Sequence, residues 1–184
     1  MNLRLATADD AAAIASIYAP YVTGTPVSFE TEPPDAEEMR RRMVASAGLY
    51  PWLVACEEGG TVLGYAYACA FRPRHAYRFS VETTVYVSGA AQRRGIGRSL
   101  YGALLPLLEA QGFAQAIAAI SLPNDASVRL HEAEGFVAAG VYREVGYKLG
   151  AWHSVGLWQR ALAALGADPE EPKLVAAVWR ESAA

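Results

Sequence analysis

The sequence predicts a single α+β domain in which a central mixed sheet is flanked by helices. The chain has 184 residues, 53% of them hydrophobic and 19% charged, which is long enough to bury one full core and too apolar for an intrinsically disordered chain. A second observation is a pair of short apolar runs joined by a glycine turn, which is typical of a hairpin. The third is a later alternation of apolar strands with amphipathic helices, which is typical of β-α-β crossovers.

The first elements are predicted to be one strand and two helices. The strand covers residues 3–5, and Thr7 with Asp10 resembles a capping box at the start of a helix. The apolar face of that helix comprises Ile14, Ile17, Tyr18 and Tyr21. Residues 22–34 are rich in Gly and Pro and predict a loop, after which Asp35 caps a second, exposed helix that reaches about residue 47.

The rest of the chain is predicted to alternate strands with helices. The predicted strands cover residues 52–56, 61–71, 81–88, 114–121, 136–148 and 153–160, and the predicted helices cover about 94–111 and 125–134. After a break at 168–172, an apolar stripe predicts a short helix docked on the body; the stripe is Leu174, Val175, Val178 and Trp179. The predicted domain therefore spans residues 1–162, followed by a C-terminal extension at 163–184.

The charge balance and the lack of long apolar runs exclude several classes of function. The chain has 16 basic and 19 acidic residues, whereas a protein that binds nucleic acid through its phosphates usually has a basic excess. Two aspartates occur within the first ten residues, so no signal peptide is expected there, and no stretch approaches the roughly 20 apolar residues of a membrane span. We expect a soluble, cytoplasmic protein that binds neither nucleic acid nor membrane.

The two cysteines predict neither a disulfide scaffold nor a metal site. Cys56 and Cys69, together with three histidines, show no zinc-ligand spacing. A hairpin turn near residues 59–60 places Cys56 near Leu63 and away from Cys69. Two buried structural thiols are therefore favoured over a bridge or a redox pair.

A glycine-bearing turn between a strand and a long helix predicts a phosphate site. Gly95 and Gly97 let a phosphate approach the backbone N–H groups at the helix start, and Arg93, Arg94 and Arg98 add positive charge. A Walker A loop is excluded because no Gly-Lys-Ser/Thr sequence follows, and a Rossmann fingerprint is excluded because position 100 is leucine and the next strand carries no acid. The alternative is that the glycines only permit tight packing.

The spacing of this turn and two flanking segments resembles the GCN5-related N-acetyltransferases. The residues that carry the resemblance are Val85, Val87, Gln92, Gly95, Gly97, Asn124, Ser127, His131, Gly135 and Phe136. Segments 50–55, 64–68, 81–88, 109–113, 122–125 and 147–156 further resemble the phosphinothricin and methionine sulfoximine acetyltransferase branch, and the similarity runs from about residue 3 to 159. The resemblance implies a mostly antiparallel sheet with two splayed parallel strands, acetyl-CoA as co-substrate and a homodimer, with Trp152 and Trp158 near the subunit contact.

The resemblance also implies which residues bind acetyl-CoA. The backbone amides expected to hold the pyrophosphate belong to Arg93, Arg94, Gly95, Ile96, Gly97 and Arg98. Main-chain groups of Val85, Tyr86 and Val87 are expected to pair with the pantetheine arm as an added strand does. Asn124 is expected to hydrogen-bond the pantetheine amides, with Ser127 nearby; the alternative for Asn124 is a helix-entry turn residue.

Acetyl transfer to an amine needs a base for the ammonium and an acid for the departing thiolate. Alternation along the strand puts Glu82 on one face with Thr84 and Tyr86, and a carboxylate in such an apolar strand is the candidate base. The alternative is a Glu82 that reaches solvent or pairs with Arg78. The family resemblance implies that His131 is the acid, although a lone histidine on an amphipathic helix is more often a packing or surface residue.

The acceptor implied by the resemblance is a small α-amino acid with a tetrahedral polar group at the end of its side chain. Loop residues Arg74, His75, Ala76 and Tyr77 are expected to bind it, with Phe29 as an apolar wall. Arg72, Arg78 and Lys148 are expected to add positive charge, although the loop also fits a solvated basic surface. His75 and Ser154 depart from the branch. The remaining alternatives are another small amine or a peptide N-terminus as acceptor, and a non-catalytic acyl-CoA sensor.

Overall fold

One seven-stranded sheet organises the computed structural model, which describes residues 1–46 and 48–179. The strands are β1 (Asn2–Leu5), β2 (Trp52–Cys56), β3 (Val62–Ala70), β4 (Ser80–Val87), β5 (Gln115–Leu122), β6 (Val137–Lys148) and β7 (Ala151–Ala161). The helices are α1 (Ala11–Gly24), α2 (Ala36–Ala45), α3 (Ile96–Gln111), α4 (Asp125–Ala133) and α5 (Val175–Val178). The strand order is β1-β2-β3-β4-β5-β7-β6.

Antiparallel pairing dominates the sheet, with one parallel pair at its centre. Strands β1 to β4 pair antiparallel with their chain neighbours, and β5 pairs antiparallel with β7, as β6 does. Among the strands that the structure describes, only β4 and β5 run parallel, because α3 crosses over between them. The predicted α+β class and mixed, mostly antiparallel sheet are confirmed.

The two faces of the sheet carry separate apolar clusters. Leu100 and Leu104 of α3 are fully buried on one face against Val81 of the sheet. On the other face, Ile14 of α1 packs in a cluster with Tyr65 of β3. The central strands are therefore covered on both sides, which explains why β2 is buried at every position.

Element boundaries follow local capping and glycine geometry. Asp35 caps α2 by accepting the Glu38 N–H at 2.8 Å, and α2 ends at Ala45, whereas the predicted end at residue 47 lies outside the described residues. Helix α3 begins at Ile96 and not at 94, because Gly95 before it has a left-handed φ of 79°. Cys56 lies opposite Val62, next to Leu63 and away from Cys69 as predicted, and the register shifts at Ala55/Cys56.

Strands β4 and β5 pair only at their beginnings and then separate. Residues 80–82 lie opposite 115–117, after which one edge of β4 has no strand beside it. The N–H of Ser88 donates to the Leu63 carbonyl at 2.8 Å. In this antiparallel register, the even-numbered β4 residues 82–86 turn their N–H and C=O groups toward β3, and the odd-numbered ones turn theirs toward the separated edge.

The C-terminal extension ends in a single helical turn that lies on the body. The Val175 N–H donates to the Gly48 carbonyl at 2.6 Å, and the Lys173 N–H donates to the Gln111 carbonyl at 2.7 Å. Val175 is buried, whereas Leu174 of the predicted stripe is largely exposed. Residues 180–184 of the extension lie outside the described part of the chain. No described helix combines the length and the apolar character that a membrane crossing requires.

Candidate active site

A narrow cleft opens where β4 and β5 separate. Its lining comprises Val27, Thr83, Thr84, Val85, Tyr86, Tyr101, Ala119, Ile120, Ser121, Asn124, Ser127 and His131. Val85 and Val87 turn their main-chain groups toward this edge, which suits an added-strand pairing, although the Val87 carbonyl already accepts the Tyr21 hydroxyl at 2.6 Å. The Tyr86 main chain faces β3, which corrects the expectation that it pairs with the pantetheine arm. Tyr86 instead contributes its ring, 4.8 Å from that of Tyr18.

The glycine turn at one end of the cleft leaves the first N–H groups of α3 without intrahelical partners. A side chain at Gly97 would bring its Cβ to 3.0 Å from Leu130, so this glycine does permit tight packing of α3 on α4. Arg94 pairs with Glu57 at 3.1 Å and Arg98 lies 3.6 Å from Glu134. Because both guanidinium groups are largely exposed, these pairs are weak and either group can turn toward an anion.

Asn124 and Ser127 begin helix α4 at the mouth of the cleft. The Asn124 Oδ1 accepts the Ser127 N–H at 3.1 Å, so Asn124 is the N-cap of α4. The helix-entry role weighed as the alternative is therefore present. It occupies only the side-chain oxygen, and the amide NH2 of Asn124 remains the group that can donate to a ligand.

Glu82 lies on β4 at the point where the two strands begin to separate. Its side chain is half-buried, and Cys69 of β3 lies directly opposite. Burial raises the pKa of the Glu82 carboxyl, and the charge of Arg72 acts in the opposite direction. Arg78 pairs with Glu171 at 2.7 Å, so the alternative of a Glu82–Arg78 pair is wrong. A half-buried carboxyl with a raised pKa has the properties of a general base.

His131 is buried on α4, and both of its ring nitrogens have partners. Nδ1 lies 2.7 Å from the Ser127 carbonyl oxygen, and Nε2 lies 2.9 Å from the Tyr101 hydroxyl. Burial lowers the pKa of the imidazole, partly offset by the hydrogen bond to Ser127. The sequence prediction missed Tyr101, because its position on the inner face of α3 indicates only a core residue. The one available signal was its polar hydroxyl among leucines.

An aromatic cavity of about 200 Å³ lies on the Glu82 face of the sheet. It is lined by Tyr18, Met39, Arg42, Ser46, Trp52, Tyr65, Tyr67 and Cys69. Arg42 binds Glu30 at 2.7 Å and Glu38 at 2.8 Å, so its charge is neutralised within the protein. Cys69 lies across from Glu82, which puts this cavity beside the candidate base. The sequence predicted none of these residues as part of the site, because they come from helices α1 and α2 and strands β2 and β3.

The predicted acceptor residues lie on the surface around this region. Arg74, His75, Ala76 and Tyr77 form an exposed turn just before β4, and the Tyr77 ring lies 5.6 Å from that of Phe71. Phe29 lies against β6 and β7, with its ring 6.4 Å from that of His153. A Cβ at Gly146 would overlap the Phe29 ring, so the bare backbone at 146 makes room for it.

The structure contradicts the roles expected for Lys148, Arg78 and Trp158. Lys148 is buried and donates to the Ser28 carbonyl at 2.6 Å, so it fastens the Phe29 loop and is not a free cation for the acceptor. Arg78 donates to Glu171 of the C-terminal extension, so its charge is paired away from the acceptor site. Trp158 is buried in the core and donates to Glu132 at 3.3 Å, so only Trp152 of the two predicted contact residues is exposed. The partners of all three lie far away in sequence, which is why the sequence does not reveal them.

The structure and sequence are similar to those of known acetyltransferases. The chain is 49% identical to a phosphinothricin N-acetyltransferase of Streptomyces viridochromogenes over 160 residues, which cover 87% of each chain. It is 35% identical to an L-methionine sulfoximine/L-methionine sulfone acetyltransferase of Salmonella typhimurium over 163 residues, 88% of this chain and 95% of the relative. A crystal structure of a Sinorhizobium meliloti phosphinothricin acetyltransferase in complex with AcCoA aligns with a TM-score of 0.88 and 40% identity, covering 93% and 94% of the two chains.

A family profile described as the acetyltransferase (GNAT) domain matches residues 3–155. Within the described residues, no group of three or more His, Cys, Asp or Glu side chains is arranged to hold a metal ion. The matched segment contains the glycine turn, the separated strands and helix α4. The chain belongs to the GNAT acetyltransferase family.

Proposed function

We propose that this chain transfers the acetyl group of acetyl-CoA to the α-amine of a small amino-acid analogue by direct attack in a ternary complex. The acceptors are L-phosphinothricin, L-methionine sulfoximine and L-methionine sulfone, which the names of the relatives indicate. The observation that carries the proposal is the half-buried Glu82 at the point where β4 and β5 separate. Glu82 as the base and the unpaired edge of β4 that binds the thioester arm therefore lie next to each other on the same strand.

Acetyl-CoA lies along the cleft in this proposal. The N–H groups of residues 93–98 and the start of α3 receive the pyrophosphate, as the open helix N-terminus and the left-handed φ of Gly95 favour. The main-chain groups of Val85 and Val87 pair with the pantetheine arm, and the Asn124 amide donates to one of its carbonyls. A free N–H on the β4 edge polarises the thioester carbonyl.

Glu82 accepts the proton of the acceptor ammonium, and the raised pKa of its carboxyl brings proton affinity closer to that required near neutral pH. The freed amine attacks the thioester carbon, and the departing thiolate takes a proton from the side of the cleft where His131 lies. Arg74 and the exposed turn through Tyr77, with Phe29 as a wall, bind the acceptor's two oxygen-rich ends and its methylene stem. Arg72 adds a cation beside Glu82.

We also propose that the chain works as a homodimer in the cytoplasm. The ribbon formed by β6, β7 and the turn between them exposes an unusual number of large apolar side chains to solvent. They are Val137, Val141, Tyr142, Val145, Tyr147, Leu149 and Trp152. A second copy of this chain on that ribbon would remove them from water and bring the two acceptor sites close to the interface.

A thiol-release assay with acetyl-CoA tests the proposed reaction. The panel contains phosphinothricin, methionine sulfoximine, methionine sulfone, spermidine and a peptide amine. We expect release with at least one of the first three, and release at least 100-fold slower with the Glu82→Gln variant. Absence of release with all three analogues would reject the substrate class. Acetyl-CoA binding without release for any amine would instead indicate an acyl-CoA sensor.

A further inference from the structure

The hydrogen bonds of His131 fix which of its nitrogens carries the proton. The Ser127 carbonyl oxygen, 2.7 Å from Nδ1, can only accept a hydrogen bond, so Nδ1 carries the hydrogen. Burial favours the neutral ring, and Nε2 then holds a lone pair. The Tyr101 hydroxyl, 2.9 Å from Nε2, therefore donates its proton to His131. In this state, His131 has no proton to give directly to a thiolate.

Tyr101 lines the cleft beside His131. It is completely buried, lines the cleft together with Thr83 and Asn124, and is held by its ring contacts. The centroid of its ring lies 5.1 Å from that of His131 and 6.0 Å from that of Phe136. While the phenolic hydrogen points to Nε2, the oxygen also has a hydrogen bond with Thr83, and its second lone pair remains available to accept a proton from another direction.

We propose that Tyr101 carries the second proton of the reaction from the attacking nitrogen to the sulfur of CoA, and that His131 stores this proton in between. The proposal rests on the proposed function, because it assigns the proton transfers of the same acetyl transfer. Tyr101 is a catalytic residue in this scheme, since its oxygen meets the reacting atoms. His131 acts through Tyr101 and is a positioning and relay residue.

The proton transfers balance without any other reactant. After the amine has attacked, its nitrogen carries a positive charge and a surplus proton, which passes to Tyr101 Oη while the phenolic proton passes to Nε2 of His131. The C–S bond then breaks, its electron pair goes to sulfur, and sulfur takes the Oη proton while Nε2 returns its proton to Oη. Nitrogen and sulfur are bonded to the same carbon at this stage, so one hydroxyl can reach both.

Several ionisable groups surround this pair and bear on its titration. Burial raises the pKa of the Tyr101 hydroxyl most, a hydrogen bond with Thr83 lowers it, and the charges of Tyr67, Glu134 and Glu82 raise it further. Glu134 itself lies 3.6 Å from Arg98, which weakens its effect. Tyr101 therefore stays protonated at neutral pH, and His131 must be neutral to receive the proton. Activity should fall in acid as His131 becomes charged, in addition to the fall caused by protonation of Glu82.

Two variants test the relay with saturating acetyl-CoA and whichever amine the wild-type protein acetylates. Tyr101→Phe keeps the ring and removes the hydroxyl, and His131→Gln keeps an acceptor for the hydroxyl but cannot store a proton. We expect each to lower kcat about 100-fold, and the double variant to lower it no further, because the two residues act as one unit. Tyr50→Phe, whose ring stacks on Phe113 outside the cleft, is the matched control with unchanged kcat.

The pH profile separates a relay from a merely structural role. At pH values below the pKa of His131, which burial lowers, the slope of log kcat against pH should be steeper by about one in the wild type than in either variant, because only in the wild type does protonation of His131 block the relay. Wild-type kcat in Tyr101→Phe, wild-type kcat in His131→Gln, or an unchanged slope would each overturn the relay. If Tyr101→Phe does not fold, judged by CoA binding, His131→Gln alone decides. No turnover by the wild type with any amine would reject the proposed function and the relay together.

Discussion

At Glu82, the burial that suits the carboxyl to act as a base also lowers the stability of the folded protein at neutral pH. Its carboxyl has a raised pKa because it is half-buried, so the folded protein binds a proton there more tightly than the unfolded chain does. The free energy of unfolding must therefore decrease as the pH rises from the ordinary value of 4.5 through the raised pKa. The protein keeps a carboxylate at this position despite a cost in stability at neutral pH.

Replacing Glu82 with Gln should separate the two effects. We expect kcat/KM for the acceptor to fall at least 100-fold, because the base is lost, while the melting temperature at pH 7 rises, because a neutral amide is cheaper to bury than a carboxylate. At pH 4, where the wild-type carboxyl is protonated, the difference in melting temperature should disappear. Thermal unfolding at the two pH values checks this, and an equal difference at both would contradict it.

Position 146 needs glycine because the Phe29 ring occupies the space of a Cβ, and not because of its backbone conformation. A Cβ at this position would overlap the Phe29 ring, so Gly146→Ala must displace the wall proposed for the acceptor site. We expect the KM for the acceptor to rise roughly 3- to 10-fold, equivalent to about 1 kcal/mol of lost contact, with little change in CoA affinity. Steady-state kinetics with each substrate varied checks this. Gly140→Ala, on the same strand with open space around its Cα, is the matched control.

At the residue scale, the sequence predicts site members whose role depends on the backbone or on a local motif. Gly95 is an example, because the turn itself requires its positive φ. The sequence does not predict how a side chain far from its partner is used. Lys148 reaches Ser28, 120 positions away, and Arg78 reaches Glu171. Tyr101 lies on helix α3 among apolar residues, so the sequence does not indicate that its hydroxyl contacts His131.

Between elements, the separation of β4 from β5 creates the site, and periodicity alone does not predict it. The sequence pattern correctly indicates both strands and the crossover helix α3. Strand β4 pairs with β5 only at residues 80–82, whereas β5 stays paired with β7 along its whole length. Only the resemblance to a known family implied this opening, because strand patterns report which face is buried and not how far two edges stay together.

The C-terminal turn α5 should contribute to stability through Val175. This side chain is buried, and its N–H is bonded to Gly48. We expect Val175→Ala to lower the free energy of unfolding by about 1 to 2 kcal/mol, because it removes two buried methyl groups. Leu174→Ala, at a neighbouring position that is 57% exposed, should change it by less than about 0.5 kcal/mol. Denaturant unfolding of both variants checks this, and equal effects would show that α5 is not docked in solution.

At the scale of the whole molecule, the chain exposes its apolar surface unevenly. Seven of the large exposed apolar side chains lie on the ribbon of β6 and β7 and its connection, where the ribbon extends beyond the two apolar clusters of the body. Tyr147 and Trp152 form a pair there, with ring centroids 5.3 Å apart, and both are more than 60% exposed. Two exposed aromatic rings beside the turn of this apolar ribbon are typical of an interface.

A charge in the aromatic pair of this ribbon should therefore break the proposed dimer. We expect the wild type to have the mass of a dimer in light scattering at micromolar concentration, and Trp152→Glu to have the mass of a monomer, because burying an unpaired carboxylate there opposes association. Gln159→Glu is the matched control, since it adds the same charge to β7 where the strand pairs with β5 within one subunit. A monomeric wild type would reject the dimer. If Trp152→Glu is monomeric and its KM for the acceptor rises, the ribbon also shapes the acceptor site, because Phe29 lies against the same two strands.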